Sequence, residues 1–176
     1  MSERNRITED ELANSIIGQL DDGDADRPWA SEVPYNHYGD RGVVDLVHRF
    51  GEGSGRDELH VFELKSEYAV EQATGANEIL RQFNRHRRYF FDGSDYTRSD
   101  YFSVRFELAF TATQSNFEHV RGNWNQYETA VESETRGESA AVTLRSTHTS
   151  EPVLFFKDGG VHVPDGLTGV VEVTAE

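Results

Sequence analysis

The sequence predicts an α/β domain, with a central mixed sheet, helices on its faces and a β-rich C-terminal extension. Three observations predict it. Two apolar stretches, Arg41-Gly-Val-Val-Asp-Leu-Val-His-Arg-Phe50 and Glu58-Leu-His-Val-Phe-Glu-Leu-Lys65, flank Gly51-Glu-Gly-Ser-Gly55, the pattern of an antiparallel hairpin. Directly after them the apolar residues recur at three and four from about Val70 to Phe91 (Ala76, Ile79, Leu80, Phe83, Phe90), as in a long amphipathic helix. Phe102, Val104, Phe106, Leu108 and Phe110 then alternate within Tyr101 to Thr113, as in a half-buried strand.

In chain order, Ile7 to Leu20 reads as a short amphipathic helix, opened by Thr8 with Glu11 at capping-box spacing. Leu12, Ala13, Ile16 and Leu20 form its apolar stripe, and at about 100° per residue Glu9 falls on that stripe whereas Glu11 points away. Residues 21 to 40, with Pro28 and Pro34, have no period and read as a long connection pinned by Trp29, Tyr35 and Tyr38. After the hairpin, long helix and alternating strand, with a loop from Asp92 to Asp100, Asn116 to Val131 reads as a second helix. Short strands at Ala140–Arg145, Val153–Phe156 and Thr168–Thr174 are separated by Glu-Pro, Asp-Gly-Gly and Pro-Asp-Gly turns.

A chain of 176 residues is long enough for one domain with one core, so residues 1–176 are read as a single unit. No run of 18 apolar residues and no basic-then-apolar leader argues for a membrane span or signal peptide, which makes the expected location cytoplasmic. The absence of cysteine excludes disulfides, thiolate ligands and thiol nucleophiles, leaving oxygen or imidazole for any metal. Thirty-two acidic against 17 basic residues give a net charge of −15, which by itself argues against a nucleic-acid partner. Fifteen of the 17 are Arg, however, and the only lysines are Lys65 and Lys157. This acidic, Lys-poor composition resembles that of proteins from salt-loving archaea with concentrated internal KCl. There the Debye length is about 3 Å and only close contacts between charges count.

Asp45 is a charge in the middle of an apolar strand, and burying a carboxylate costs several kcal/mol, roughly, unless something positive meets it. On the next strand, alternation places Leu59, Val61, Glu63 and Lys65 on one face and His60, Phe62 and Leu64 on the other. A carboxylate and an ammonium therefore emerge side by side. Carboxylates on neighbouring strands suit a hard divalent cation such as Mg²⁺, and Lys65 is placed to orient or deprotonate an attacking water or to neutralise developing charge. Arg81, Arg85 and Arg88 lie within about 60° of one another on a helical wheel, and with Arg87 they are a local exception to the acidic balance. Phosphate contact is the functional reading of that ridge, and pairing with neighbouring acids the alternative.

An inward acid on the first helix, Asp45, the hairpin, Glu63-Leu64-Lys65 and a glutamine-bearing helix resemble the PD-(D/E)XK nuclease superfamily, the fold of many restriction endonucleases, Holliday-junction resolvases and repair nucleases. The resemblance covers about residues 7–113, the αβββαβ core, with about 114–176 as the extension, and it departs at Val44, where the proline of the name would stand. It implies a Mg²⁺-dependent nuclease, with Mn²⁺ as substitute, in which Asp45, Glu63 and the Leu64 carbonyl hold the metal and Lys65 serves the chemistry. It also implies an acid on the first helix, for which Glu9 is chosen on helical phase and Glu11 is the fallback. Gln82 matches the superfamily's site glutamine better than Gln72, which lies nearer the helix start.

The expected partner is DNA, with RNA left open and a second copy of the chain as a candidate, since nucleases that cut both strands often act as two-fold dimers. A non-catalytic DNA-binding or assembly subunit that retains the fold is the alternative, and the intact Asp45, Glu63 and Lys65 argue against it. A structural protein without nucleic acid is the third reading. The histidines, including His48, His60 and His86 near the motif, show no ligand spacing and read as surface or core residues. Ser146 and His148 do not make a triad.

Overall fold

The computed structural model of the chain describes residues 6–21, 23, 29–37, 39–50, 58–92, 103–132 and 138–173. The expected turn at Gly51–Gly55, the loop 93–100, Tyr38, Phe102 and Thr174 lie outside them.

The capping box at Thr8 forms: its Oγ1 accepts the Glu11 N–H at 3.1 Å, and Glu11 Oε2 accepts the Thr8 N–H at 2.7 Å. It opens α1 (Glu9–Leu20), whose Leu12 and Ile16 are fully buried. Four long strands follow, β1 (Ala30–His37), β2 (Asp40–Phe50), β3 (Glu58–Lys65) and β4 (Ser103–Thr111), then β5 (Glu138–Arg145) and the short β6 (Val153–Phe155) and β7 (Val161–His162). They make one seven-stranded sheet in sequence order. β3, β4 and β5 run parallel, and the remaining neighbours are antiparallel.

Four sequence expectations are corrected. The connection 21–40 contains β1, whose signal was masked by Pro34 and charged neighbours. Proline is tolerated there because β1 is an edge strand. The helix expected from Val70 to Phe91 is two helices, α2 (Glu67–Gln72), capped by Ser66, and α3 (Ala76–Asp92), divided at Gly75 with φ 98°. α2 ends at Ala73, whose backbone is extended (φ −73°, ψ 146°), and Gly75, which adopts its left-handed conformation without steric cost, turns the chain into α3. The helix expected from Asn116 to Val131 is likewise α4 (Gln114–Gly122) and α5 (Trp124–Glu132). Asn123 divides them, its Nδ2 donating to the His119 carbonyl at 2.8 Å. Among the described residues no strand forms from Thr168 to Val173. A 3-10 turn at Asp165–Leu167 follows Pro164, and its apolar residues pack individually, Leu167 and Val171 being buried.

Crossovers between parallel strands carry α2–α3 and α4–α5, and the main core lies under them: Leu59 and Val61 of β3, Phe106, Leu108 and Phe110 of β4, Ile79, Leu80 and Phe83 of α3, and Phe117 and Tyr127 of α4 and α5. A smaller cluster joins Leu12 and Ile16 of α1 to Leu46, Phe62, Leu64 and Ala109 on the opposite face. β3 is thus buried on both sides, with α1 on its Phe62 and Leu64 face and α3 on its Glu63 and Lys65 face. No helix among the described residues is long and apolar enough to cross a membrane.

Candidate active site

The sheet opens where the candidate acids lie. β2 and β3 pair from Phe50↔Glu58 as far as Leu46↔Phe62 and no further. Extending that register would set Asp45 opposite Glu63. Instead the Leu64 N–H donates to Asp45 Oδ2 at 2.7 Å, so a side chain takes the place of a strand carbonyl. The alternation of β2 breaks here too, since Val44 and Val47 join the α3-face core while Leu46 joins the α1-face cluster. On the other side, the β1–β2 register brings Glu32 opposite Asp45, and Glu32 has φ 50°. A non-glycine residue in that region costs on the order of 1–3 kcal/mol, and such residues cluster at functional sites.

Asp45 lines a cleft of about 350 Å³ with Leu64 of β3, Glu9, Asp10, Ala13 and Asn14 of α1, and Ser31 and Glu32 of β1. The phase assigned to α1 holds: Glu9 is half-buried and its Oε1 accepts the Ser66 N–H at 3.4 Å, whereas Glu11 is exposed and spent on the cap. Burial, and after it the Glu63 carboxylate, push the Asp45 carboxyl up to about 8. Burial likewise raises Glu9 above the usual carboxylate range, against the opposing pull of Lys65.

On the α3 side Glu63 is 6% exposed and grasped from two directions. Lys65 Nζ lies 3.1 Å from its Oε1, and His86 Nε2 lies 2.8 Å from its Oε2. Burial alone would raise the Glu63 carboxyl, but the close approach of His86 and Lys65 brings it below the ordinary value. Lys65 Nζ also donates to Gln82 Oε1 at 2.8 Å, which sets this glutamine of α3 beside the Glu63-Leu64-Lys65 strand. His86 is one turn beyond Gln82 on the same face of α3. Sequence reasoning missed it by searching for zinc spacing; the available signal was the i, i+4 relation to Gln82. Behind it, Tyr35 Oη lies 2.9 Å from His86 Nδ1, and the Tyr35 ring stacks on Tyr89 with centroids 4.6 Å apart. A Cβ at Gly42 would collide with the Tyr35 hydroxyl, so glycine there admits the ring.

The chemistry of the donors fits a hard divalent ion: carboxylates of Asp45, Glu63 and Glu9 with the backbone carbonyl of Leu64, all oxygen, and an Asp45 charge that its surroundings oppose. The side chains are not drawn around one point, and among the described residues no three His, Cys, Asp or Glu are arranged to hold a metal. Asp45 and Glu9 face the cleft on the α1 side while the Glu63 oxygens are turned toward Lys65 and His86.

Arg81 and Arg88 are exposed and Arg85 is partly so, as the ridge requires. Arg87 is corrected. Its Nη1 donates to the Ala130 carbonyl at 3.1 Å and its guanidinium lies over Phe83 and Phe106, so it braces α3 against α5 and β4. On an ideal helix the Arg81–Arg85–Arg88 ridge begins about 60° from Gln82, on the side away from the core.

A second buried ionic cluster lies on the α1 face. Arg145 grips Glu107 through Nε and through Nη2 at 2.8 Å, and Thr143 Oγ1 donates to Glu107 Oε2 at 3.1 Å. His60 Nε2 is 3.5 Å from Glu107 Oε1. Burial would raise the Glu107 carboxyl, but Arg145 and His60 hold it far below the usual range. Its partners satisfy it within the fold, and it does not reach the cleft.

No curated protein and no solved structure matches the chain significantly. The PD-(D/E)XK nuclease superfamily domain matches residues 7–149, from the capped start of α1 through β5 to the turn beyond it. With the αβββαβ order observed, and Asp45 and Glu63-Leu64-Lys65 at the point where two strands part, the chain belongs to the PD-(D/E)XK nuclease superfamily.

Proposed function

We propose that the protein is a Mg²⁺-dependent deoxyribonuclease, with Mn²⁺ as a substitute ion, cutting DNA phosphodiester bonds at the cleft between α1 and the parted ends of β2 and β3. The observation that carries this reading is the position of Lys65 Nζ, held between Glu63 Oε1 at 3.1 Å and Gln82 Oε1 at 2.8 Å beside two carboxyls whose charge is opposed by burial. An ammonium with two fixed acceptors is oriented by them, which is what a group serving a reacting water or phosphate oxygen needs.

Asp45, Glu63 and the Leu64 carbonyl would hold the ion, with Glu9 completing the oxygen set from α1. When bound, such an ion supplies counter-charge to the phosphate and acidifies a coordinated water. Asp45 then keeps the charge that burial otherwise suppresses. Lys65 holds or relays a proton at Nζ as the water oxygen bonds to phosphorus and one P–O ester bond breaks, the alcohol leaving with a proton. Gln82 fixes the direction of that ammonium. Arg81, Arg85 and Arg88 bind backbone phosphates flanking the cut and carry no sequence information.

The acid-rich, Lys-poor composition supports work in concentrated KCl in a cytoplasm, and cutting both strands of a duplex would call for a second copy of the chain. Incubating the full chain with labelled DNA in molar KCl, with and without Mg²⁺, tests the reading. Metal-dependent cleavage lost in Lys65→Ala supports it. Metal-independent binding without cleavage by a folded protein favours the non-catalytic DNA-binding subunit.

A further inference from the structure

We infer that His86, backed by Tyr35, is a positioning residue that fixes the Glu63 carboxylate for divalent-ion binding; the inference rests on the reading of Glu63 as a metal ligand. The geometry is a buried line of groups running from β1 through α3 to β3. Tyr35 Oη is 2.9 Å from His86 Nδ1, and His86 Nε2 is 2.8 Å from Glu63 Oε2. Tyr35 is 6% exposed, His86 6% and Glu63 6%, so bulk water does not compete for these contacts.

The donors can be assigned from the end that is fixed. An ionised carboxylate only accepts, so Nε2 carries the hydrogen. Across the ring Nδ1 faces the Tyr35 hydroxyl at 2.9 Å, which accepts from a protonated Nδ1 and donates to a bare one. A hydrogen bond on one imidazole nitrogen sets the tautomer presented by the other. Tyr35 is itself immobilised by its stack on Tyr89 and by the space that Gly42 leaves for its ring.

Glu63 thus has one contact on each oxygen, Lys65 on Oε1 and His86 on Oε2. An ionised carboxylate offers about four lone-pair sites, so both contacts leave acceptor capacity for a cation. With Lys65 alone the carboxylate could swing toward the ammonium and fold into a closed ion pair. His86 opposes that swing from the other side. Partners that orient ligating groups in this way typically control metal affinity or activity by about 10–100-fold.

The test uses the full chain and two readouts. Long-range proton–nitrogen spectra of ¹⁵N-labelled protein should show His86 with its hydrogen on Nε2. Glu63→Gln should shift the Nε2 resonance and Tyr35→Phe the Nδ1 resonance. In calorimetric titration with Mn²⁺ and no substrate, His86→Phe should weaken affinity by about 10–100-fold. Tyr35→Phe should weaken it less, and the double variant should be no weaker than His86→Phe alone. His86→Gln, which can still donate to Glu63, should recover part of the loss.

Wild-type affinity in a folded His86→Phe variant, full additivity of the two changes, or equal loss in the Gln and Phe variants would overturn the assignment. If the protein binds Mn²⁺ with these dependences yet cuts no nucleic acid, the nuclease reading fails and the assignment stands. If it binds no divalent ion, the nuclease reading and the positioning role both fail, and a His86 Nε2 resonance moved by Glu63→Gln then supports the contact alone.

Discussion

The Leu64 N–H donates to Asp45 Oδ2 at 2.7 Å at the point where β2 and β3 cease to pair. One contact therefore ends the ladder between two strands and fixes a carboxylate at the mouth of the cleft. It also leaves that carboxylate buried enough for its charge to be a liability in the absence of a cation.

The liability has a sign. The Asp45 carboxyl is pushed up to about 8 in the fold, above an unfolded value of about 3.9, so the folded state binds the proton more tightly. The stabilisation from protonated Asp45 is present below about pH 4 and is lost as pH rises through the folded value. Asp45→Asn should therefore be more stable than wild type at pH 8, by an amount on the order of a few kcal/mol, and equal to it near pH 4. Saturating Mg²⁺ should narrow the gap by stabilising only the wild type. Urea unfolding at both pH values, with and without Mg²⁺, measures this; a variant less stable than wild type at pH 8 would contradict it.

Glu107 has the opposite sign. Its carboxyl is held far below an unfolded value of about 4.3, so its contribution is present above that value and is lost as pH falls through the folded one. Glu107→Gln leaves Arg145 buried without a counter-charge and should cost about 3–5 kcal/mol at pH 7. A paired apolar replacement, Glu107→Met with Arg145→Leu, should cost less than the single change. Thermal unfolding of the three variants decides.

On the proposed reading Gln82 acts through Lys65, to whose Nζ it is hydrogen-bonded, so its loss should depend on Lys65 being there. Gln82→Ala should lower kcat by about tenfold, and Lys65→Ala by about 10²–10⁴. Adding Gln82→Ala to Lys65→Ala should lower it no further. Independent losses in the double variant would mean that Gln82 acts elsewhere.

The arginines of α3 should separate by role. Changing Arg81, Arg85 or Arg88 to Gln should weaken DNA binding for all sequences alike and reduce the salt slope by about one per contact. Arg87→Ala should leave the slope unchanged and lower the melting temperature, because Arg87 packs over Phe83 and Phe106. Binding isotherms across a KCl series report both.

What the sequence revealed and what it hid follow from how far each signal reaches along the chain. β3 was legible from Glu58 to Lys65 because its two faces are both packed and its alternation is local. The inward phase of Glu9 was legible because Thr8 and Glu11 mark the helix start. β1 was hidden: an edge strand carrying Pro34 and polar residues has little apolar pattern, and its order comes from pairing with β2. The divisions at Gly75 and Asn123 fell within apolar periods that continue across them. His86 and Tyr35 were hidden for a different reason, since their meeting joins residues 51 positions apart and only tertiary structure brings them together. The kink at Glu32 left no mark in the sequence at all.

The measurement that tests the central claim most directly is cleavage of a labelled panel of duplex, four-way junction, flap, single-stranded DNA and RNA in molar KCl with Mg²⁺ or Mn²⁺. Wild type, Asp45→Asn and Lys65→Ala should be compared after circular dichroism shows all three folded. Wild type should cut at least one DNA member in a metal-dependent way, and both variants should lose that cleavage. Cleavage that persists in Lys65→Ala, or none by folded wild-type protein with either ion, would contradict the claim.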